Sequence, residues 1–406
     1  MSVLGGKFLE RVGEYKNLGH LSDFPEIEQM MHESFNSTTM SQSPNNSQGT
    51  QYVYYHEGGV PGKRPILTGS AAKPTFTELP RIDISRAYST DPEARRALAA
   101  EVNDAFTKVG FFYAVNHGID AAAVADMFAA MRGYFALPEA VKMEAHSRKN
   151  RKFRGYEPMF STRLDPTTRG DLKEGFLMGE DALDPEQDAP PKVVERQEAE
   201  GPRNQWPSLP EAAFWRPAVY RYHRVLRKLS ERLLRIFSLA LGLPEDHFDA
   251  ITRFPLTNIR ALHYPPQERD EDVGIGAHTD FVFFTLLCQQ ETALPALEVL
   301  NGNGVWVPAH PDQNAFVVNV GDFLKFFTGG LWQSTVHRVR NVTGEERYSI
   351  PFFYSPDEDG VVDVLERFRE TGKTYETFTA GEYFEKRLQI DRRTADDGDG
   401  KAVTAY

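Results

Sequence analysis

NIRALHY (258–264), FVFFTLLCQ (281–289), ALEVL (296–300), VWVPA (305–309), AFVVNVGDFL (315–324), STVHRVRN (334–341) and RYSIPFFYS (347–355) are seven short apolar runs broken by turns. Each is rich in β-branched or aromatic residues and too short for a helix of ordinary length, so each reads as a strand. Crowded at this spacing, they predict an antiparallel sandwich or jelly roll.

The preceding sequence has a different texture. AVYRYHRVLRKLSERLLRIFSLALGL (218–243) carries Val219, Leu226, Leu229, Leu233, Leu234 and Phe237 on one face, which predicts a long helix stopped by Gly242 and Pro244. Further upstream, LPRIDIS (79–85) and FFYAVNHG (111–118) read as strands. The intervening helix, PEARRALAAEVNDAFTKVG (92–110), presents Leu98, Val102, Phe106 and Val109 and ends at Gly110, and a second helix covers 121–137. Gly179 to Asn204 is rich in Pro, Glu and Asp and predicts an exposed excursion. Compact structure is expected from near Pro74, after a short leading helix and a mobile polar segment over 33–50. These readings divide the chain into an extension (1–77), an N-terminal subdomain (78–200), a bracing helical region (201–254), the jelly-roll core (255–356) and a C-terminal helix and tail (357–406).

Composition narrows the function. The 406 residues carry 46 Lys and Arg against 58 Asp and Glu, a formal charge of -12, which disfavours nucleic acid and anionic membrane as partners. One cysteine, Cys288, rules out an intrachain disulfide framework and fits a reducing, cytoplasmic setting. No stretch approaches the roughly 20 apolar residues of a membrane span, and no obligate protein partner is expected.

His278-Thr279-Asp280 is the sharpest local pattern, because residues at i and i+2 share one side of an extended segment. A later strand carrying His337 could return across a barrel and complete a facial set of two imidazoles and one carboxylate. Such a set neutralises part of the charge on Fe(II) and leaves adjacent positions for a chelator and O2. A zinc hydrolase site is the other chemistry that His and Asp ligands allow.

IGAHTDFVFFTLLCQQ (275–290), VVNVGDFLKFFTGGLWQSTVHRV (317–339) and ERYSIPFF (346–353) together resemble the iron(II) and 2-oxoglutarate-dependent dioxygenases of the isopenicillin N synthase-like group. The resemblance extends through LPRIDIS, VGFFYAVNHGI and YFALP, and so covers residues 78 to 356. It implies a mixed α/β fold, with a double-stranded β-helix (jelly-roll) core, packed helices and an α/β N-terminal subdomain. It also implies His278, Asp280 and His337 as iron ligands, Arg347 and Ser349 as holders of the distal carboxylate of 2-oxoglutarate, and Tyr264 as a helper of cosubstrate binding. Arg347 and Ser349 are again i and i+2, so one strand face offers a guanidinium fork and a hydroxyl to an anion. Leu262 stands where the family often has asparagine.

For the substrate wall, Phe284 shares strand parity with Asp280, Tyr354 ends the strand bearing Arg347, and Trp332 lies between the motifs. Arg154 and Tyr156 lie in a segment that the family brings near its substrate. Asn258 and Arg260 share the alternating face of Tyr264 and line or brace the pocket, while Lys173 and Glu174 are expected to form a structural ion pair. The function implied is oxidative decarboxylation of 2-oxoglutarate coupled to hydroxylation, desaturation or oxidative rearrangement of a small organic metabolite, apolar or aromatic, in secondary metabolism. An iron oxidase on the same fold without 2-oxoglutarate, and a noncatalytic ligand-binding jelly roll, are the alternatives.

Overall fold

Two sheets, antiparallel except for one parallel pair at the edge of the larger, face each other across an apolar interior, and helices cover the outer face of the larger one. The structure, a computed structural model, describes residues 50–57, 60–150, 152–164, 168–184, 188–201, 203–269 and 271–387. The leading helix, most of the polar segment and the C-terminal tail expected from sequence lie outside the described residues.

In chain order the strands are β1 (Tyr52–Glu57), β2 (Val60–Pro65), β3 (Arg81–Asp83), β4 (Phe111–Val115), β5 (Gly155–Glu157), β6 (Glu174–Gly179), β7 (Thr257–Tyr264), β8 (Ile275–His278), β9 (Phe284–Gln289), β10 (Leu297–Leu300), β11 (Trp306–Ala309), β12 (Ala315–Val320), β13 (His337–Val339) and β14 (Arg347–Tyr354). The helices are α1 (Pro92–Lys108), α2 (Ala121–Phe135), α3 (Glu139–Met143), α4 (Pro191–Glu200), α5 (Trp215–Ala240) and α6 (Asp322–Phe327). The large sheet runs β3-β4-β12-β9-β14-β7-β6-β5 and the small one β11-β10-β13-β8.

Alternation along each strand sorts side chains between two cores. Phe111, Tyr113, Leu262, Tyr264 and Val317 of the large sheet meet Ile275, Leu297, Val299 and Val339 of the small one, forming the jelly-roll interior. The opposite face of the large sheet presents Phe112, Ile259, Ala261, Phe284, Leu286, Val318 and Phe352 to α1, α2 and α5. The long helix α5 buries Val219, Leu226, Leu229, Leu233, Leu234 and Phe237, the stripe that the sequence shows. Asp91 caps α1 by accepting from Glu93 N, and Pro92 sits at its first position. Gly110 then turns the chain at φ +77°; a Cβ there would stand 2.1 Å from the Gln333 carbonyl oxygen, so only glycine fits between α1 and β4.

Three differences from the sequence reading have simple causes. Ordered chain begins before Pro74, as the hairpin β1–β2 anchored by Arg64 on the Leu300 and Asn301 carbonyls at 3.1 and 2.7 Å. None of its described side chains is fully buried, so its sequence carries little apolar signal. The run AFVVNVGDFL splits at Gly321, where β12 ends and α6 begins, because Gly321 lies against Val282 O and breaks the strand. FVFFTLLCQ also starts late: residues 281–283 are bends, and β9 begins at Phe284.

That late start places Phe284 in the helix-side core. There it packs on Phe237 and Tyr354, with Trp332 beside Phe106 and Phe237. Trp332 is fully buried and its indole N–H donates to Asn103 Oδ1 at 2.9 Å. Trp332→Ala is therefore expected to lower unfolding free energy by about 3–5 kcal/mol in a denaturant titration, through the cavity and the orphaned Asn103.

Candidate metal centre

β8 ends at His278 and β13 begins at His337, and the two residues are directly paired across the strands. Pairing shifts by one residue between that rung and Val339↔Ile275, an irregularity that re-aims side chains at the end of a ribbon. The rings stand 4.4 Å apart between centroids. Their Nε2 atoms lie 3.6 Å (His278) and 3.7 Å (His337) from Asp280 Oδ1. All three candidate donor atoms fall within 4.8 Å of one another, and no other such group of His, Cys, Asp or Glu occurs among the described residues.

Each donor is held from behind. His278 Nδ1 faces the Gly276 carbonyl at 2.8 Å and His337 Nδ1 the Thr335 carbonyl at 3.1 Å. A carbonyl can only accept, so each Nδ1 carries a proton, and a ring that is neutral in that tautomer turns an Nε2 lone pair toward the shared point, as a metal ligand must. The other oxygen of Asp280 accepts from Thr285 Oγ1 at 2.6 Å and Asn319 Nδ2 at 2.8 Å. Burial opposes charge on all three groups, and the attraction between Asp280 and the imidazoles works against it. Asp280 is held well below the usual carboxylate range by the two imidazoles. His278 is raised despite burial, by its hydrogen bond and attraction to Asp280. His337 is pushed down to about 4 by burial and by its neighbour His278. The site favours one compact positive charge at the centre, as a divalent ion supplies.

In the jelly-roll interior, Arg347 pairs with Tyr264 across β14 and β7, and Ser349 with Leu262 and Gln289. Arg347 is 1% exposed; its Nη2 donates to Gln289 Oε1 at 2.8 Å and its guanidinium carbon lies 4.9 Å from the Tyr264 ring centroid. Burial raises the Tyr264 phenol, against the Arg347 charge and a hydrogen bond with Ser349. Arg347 Nη1 and Gln289 Nε2 are buried without a hydrogen-bond partner among the described residues. Orphaned donors of this kind are costly, and a carboxylate supplies the missing acceptors.

Thus the structure brings together His278, Asp280 and His337, and, as a second group in the same jelly-roll interior, Arg347, Ser349 and Tyr264. It does not bring Phe284, Trp332 or Tyr354 to that face. Strand parity, counted from Asp280 through the bend at 281–283, loses its register before Phe284; Tyr354 has the opposite parity to Arg347. Tyr156 also points to the helix side, donating to Glu174 Oε2 at 2.6 Å. Arg154 is buried, donating to the Glu180 carbonyl at 2.9 Å and to Asn258 Oδ1 at 3.2 Å. Lys173 and Glu174 are not paired: Glu174 binds Lys142 and His263, whereas Lys173 binds Thr162. Neighbours in a strand point to opposite faces, which forbids the expected pair.

Sequence reasoning missed Thr285 and Asn319. A signal existed for the second, the single polar residue inside the apolar strand AFVVNV. Asn319→Ala and Thr285→Val are each expected to weaken divalent-metal affinity about tenfold in equilibrium dialysis, as loss of an outer partner does.

Two family models match the chain. One, described as non-haem dioxygenase in morphine synthesis N-terminal, spans residues 79–209, and the 2OG-Fe(II) oxygenase superfamily spans 255–356. The 2-oxoglutarate-Fe(II) type oxidoreductase ppzC of Metarhizium rileyi is 34% identical over 73% of this chain and 82% of its own. The crystal structure of a full-length Neurospora crassa protein in complex with alpha-KG superposes with a TM-score of 0.68 at 25% identity, covering 79% of this chain and 99% of that one. That of the rice dioxygenase for auxin oxidation gives 0.59 at 26%, covering 77% and 95%. The chain belongs to the 2OG-Fe(II) oxygenase superfamily and is a 2-oxoglutarate- and iron(II)-dependent dioxygenase that uses O2 as cosubstrate.

Proposed function

We propose that His278, Asp280 and His337 hold Fe(II), that Arg347, Ser349 and Tyr264 hold the distal carboxylate of 2-oxoglutarate, and that the enzyme hydroxylates, desaturates or oxidatively rearranges a small organic metabolite. The observation that carries this reading is the convergence of two Nε2 lone pairs and one carboxylate oxygen, in a fold that also buries an unpaired Nη1 on Arg347. When bound, Fe(II) supplies activation of O2 coupled to conversion of 2-oxoglutarate into succinate and CO2.

The chain's residues prepare that chemistry. Thr285 and Asn319 fix Asp280 so that Oδ1 alone faces the imidazoles. The Gly276 and Thr335 carbonyls set both tautomers. Arg347, stacked on Tyr264 and tied to Gln289, is already in place before an anion arrives, which lowers the ordering cost of binding. The apolar interior around Leu262, Ile275 and Val339 keeps bulk water away and strengthens each charge interaction.

A role in secondary metabolism and a cytoplasmic setting belong to the same proposal. The lone buried Cys288 supports the second; among the described residues no helix is long and apolar enough to cross a membrane. Anaerobic mixing with Fe(II), 2-oxoglutarate and a metabolite panel, followed by O2 and mass detection, tests the reading. Substrate-dependent succinate is expected. Product formation undiminished without 2-oxoglutarate rejects it in favour of a 2-oxoglutarate-independent oxidase.

A further inference from the structure

Six lysine and arginine side chains are buried among the described residues: Lys142, Arg154, Lys173, Arg203, Arg347 and Arg387. Three have a carboxylate partner, Lys142 with Glu174, Arg203 with Glu358 and Arg387 with Asp322. The other three, Arg154, Lys173 and Arg347, have none, and all three lie on the interior side of the large sheet. Arg347 is placed there by its pairing with Tyr264. Lys173 precedes Glu174, whose side chain goes to the helix side with Lys142 and His263. Arg154 lies against Gly179, where a Cβ would meet its guanidinium at 2.1 Å, and bonds Asn258, which shares the parity of Tyr264.

Lys173 is 2% exposed, and its only hydrogen-bond acceptor among the described residues is Thr162 Oγ1 at 2.9 Å. The Thr162 proton goes to Asp171 Oδ2 at 2.7 Å, and Asp171 Oδ1 accepts from Gly276 N at 3.2 Å, next to the strand end that carries His278. Lys173 therefore sits in the wall that joins the two sheets beside the metal centre. Arg260 of β7, whose side chain is 20% exposed, lies close enough for its charge to act on Lys173. Arg260 gives Nε and Nη2 to Glu157 Oε2 at 2.9 and 2.6 Å, while its Nη1 has no acceptor among the described residues. With Glu157 bonded to Arg260 and Asp171 to Thr162 and backbone, Lys173 adds a second positive charge that both carboxylates attract but that forms no direct ion pair with either among the described residues. Burial, with Arg260 adding to it, pushes the Lys173 ammonium down to about 8 against the attraction of Glu157 and Asp171. A scaffold role alone is better filled by a neutral or ion-paired residue, because an unpaired buried ammonium costs stability.

We propose that Arg260 and Lys173 form the recognition site for a carboxylate, or an equally acidic oxygen, on the organic substrate. Arg260 Nη1 makes the direct contact, and the Lys173 ammonium, released in part from Thr162, supplies the second donor. The inference rests on the reading above, in which the distal carboxylate of 2-oxoglutarate occupies Arg347, and it adds an acidic group to the largely apolar or aromatic substrate expected from sequence.

The test uses the full chain with Fe(II) and 2-oxoglutarate under nitrogen. Phenylacetate, 4-hydroxybenzoate and geranate are titrated calorimetrically, each beside its methyl ester. At least one acid is expected to bind about tenfold or more tightly than its ester. In Lys173→Met, which keeps the buried stem, that gap should shrink to about twofold, and Lys173→Arg should restore much of it. Affinity for 2-oxoglutarate should stay within about twofold throughout. A wild-type protein that prefers none of the acids, or a gap undiminished in Lys173→Met, overturns the inference. Failure of the wild type to bind 2-oxoglutarate would instead overturn the proposed function.

Discussion

Asp280→Ala is expected to reduce kcat/KM by about a thousandfold or more and divalent-metal affinity by well over the 10–100-fold that loss of an outer partner causes. Asp280 is the one anionic group of the set, so its removal leaves the centre with no charge to offset that of a divalent ion. It also leaves the Thr285 hydroxyl and the Asn319 amide aimed at an empty site, each a buried donor without its acceptor. Asp280→Asn separates the two effects. It keeps the shape and loses the charge, so metal affinity should fall nearly as far while thermal stability changes less than in the alanine variant. Equilibrium dialysis with Fe(II) under nitrogen reads the affinity, and near-UV circular dichroism confirms that each variant is folded. Affinity within about threefold of wild type in a folded Asp280→Ala would remove the aspartate from the metal centre.

The metal set was legible because its members obey strand arithmetic over short distances. His278 and Asp280 are two apart at a strand end, and Arg347 and Ser349 are two apart inside one strand. The strand runs of residues 257–354 were legible because both faces of β7, β9, β12 and β14 are covered, which keeps each run rich in apolar and aromatic residues, β12 almost continuously so. Parity failed wherever a bend intervened. Phe284 is four residues beyond Asp280, yet the bends at 281–283 turn it to the helix side, where it stacks on Tyr354. Aromatic abundance near the motifs thus reflects the core beneath α5 more than a substrate wall. β5 and β6 escaped notice because their partners are distant in sequence: Glu174 is matched by His263 and Lys142, and Glu157 by Arg260. Nothing local distinguishes Lys173, turned to Thr162, from Glu174, which opens β6 and is turned to Lys142 and His263; only contacts distant in sequence do.

Arg347→Met is expected to raise the KM for 2-oxoglutarate by roughly 30-fold to several thousandfold, the equivalent of about 2–5 kcal/mol for truncating one partner of a buried charge pair. Methionine fills much of the volume of the arginine stem, so the β14–β7 pairing should persist and the loss should fall on the cosubstrate. Fe(II) affinity without 2-oxoglutarate should change by less than about threefold, because Arg347 touches Gln289 and Tyr264 and neither contacts the histidines. Arg347→Lys keeps the charge but loses the planar fork and its stacking on Tyr264, and should lie between the two. Gln289→Leu gives the sharper comparison. Gln289 Oε1 accepts from Arg347 while its Nε2 is buried and unpaired, so the substitution removes one good bond together with one orphaned donor. If the cosubstrate carboxylate satisfies only Arg347 Nη1, Gln289→Leu should move the KM by a few-fold at most. If it also takes the Gln289 amide, the KM should rise by about tenfold, the worth of one charge-assisted hydrogen bond. An Arg347→Met enzyme whose KM for 2-oxoglutarate stays within about threefold of wild type would place the carboxylate elsewhere and return the orphaned Nη1 to an unexplained cost of the fold.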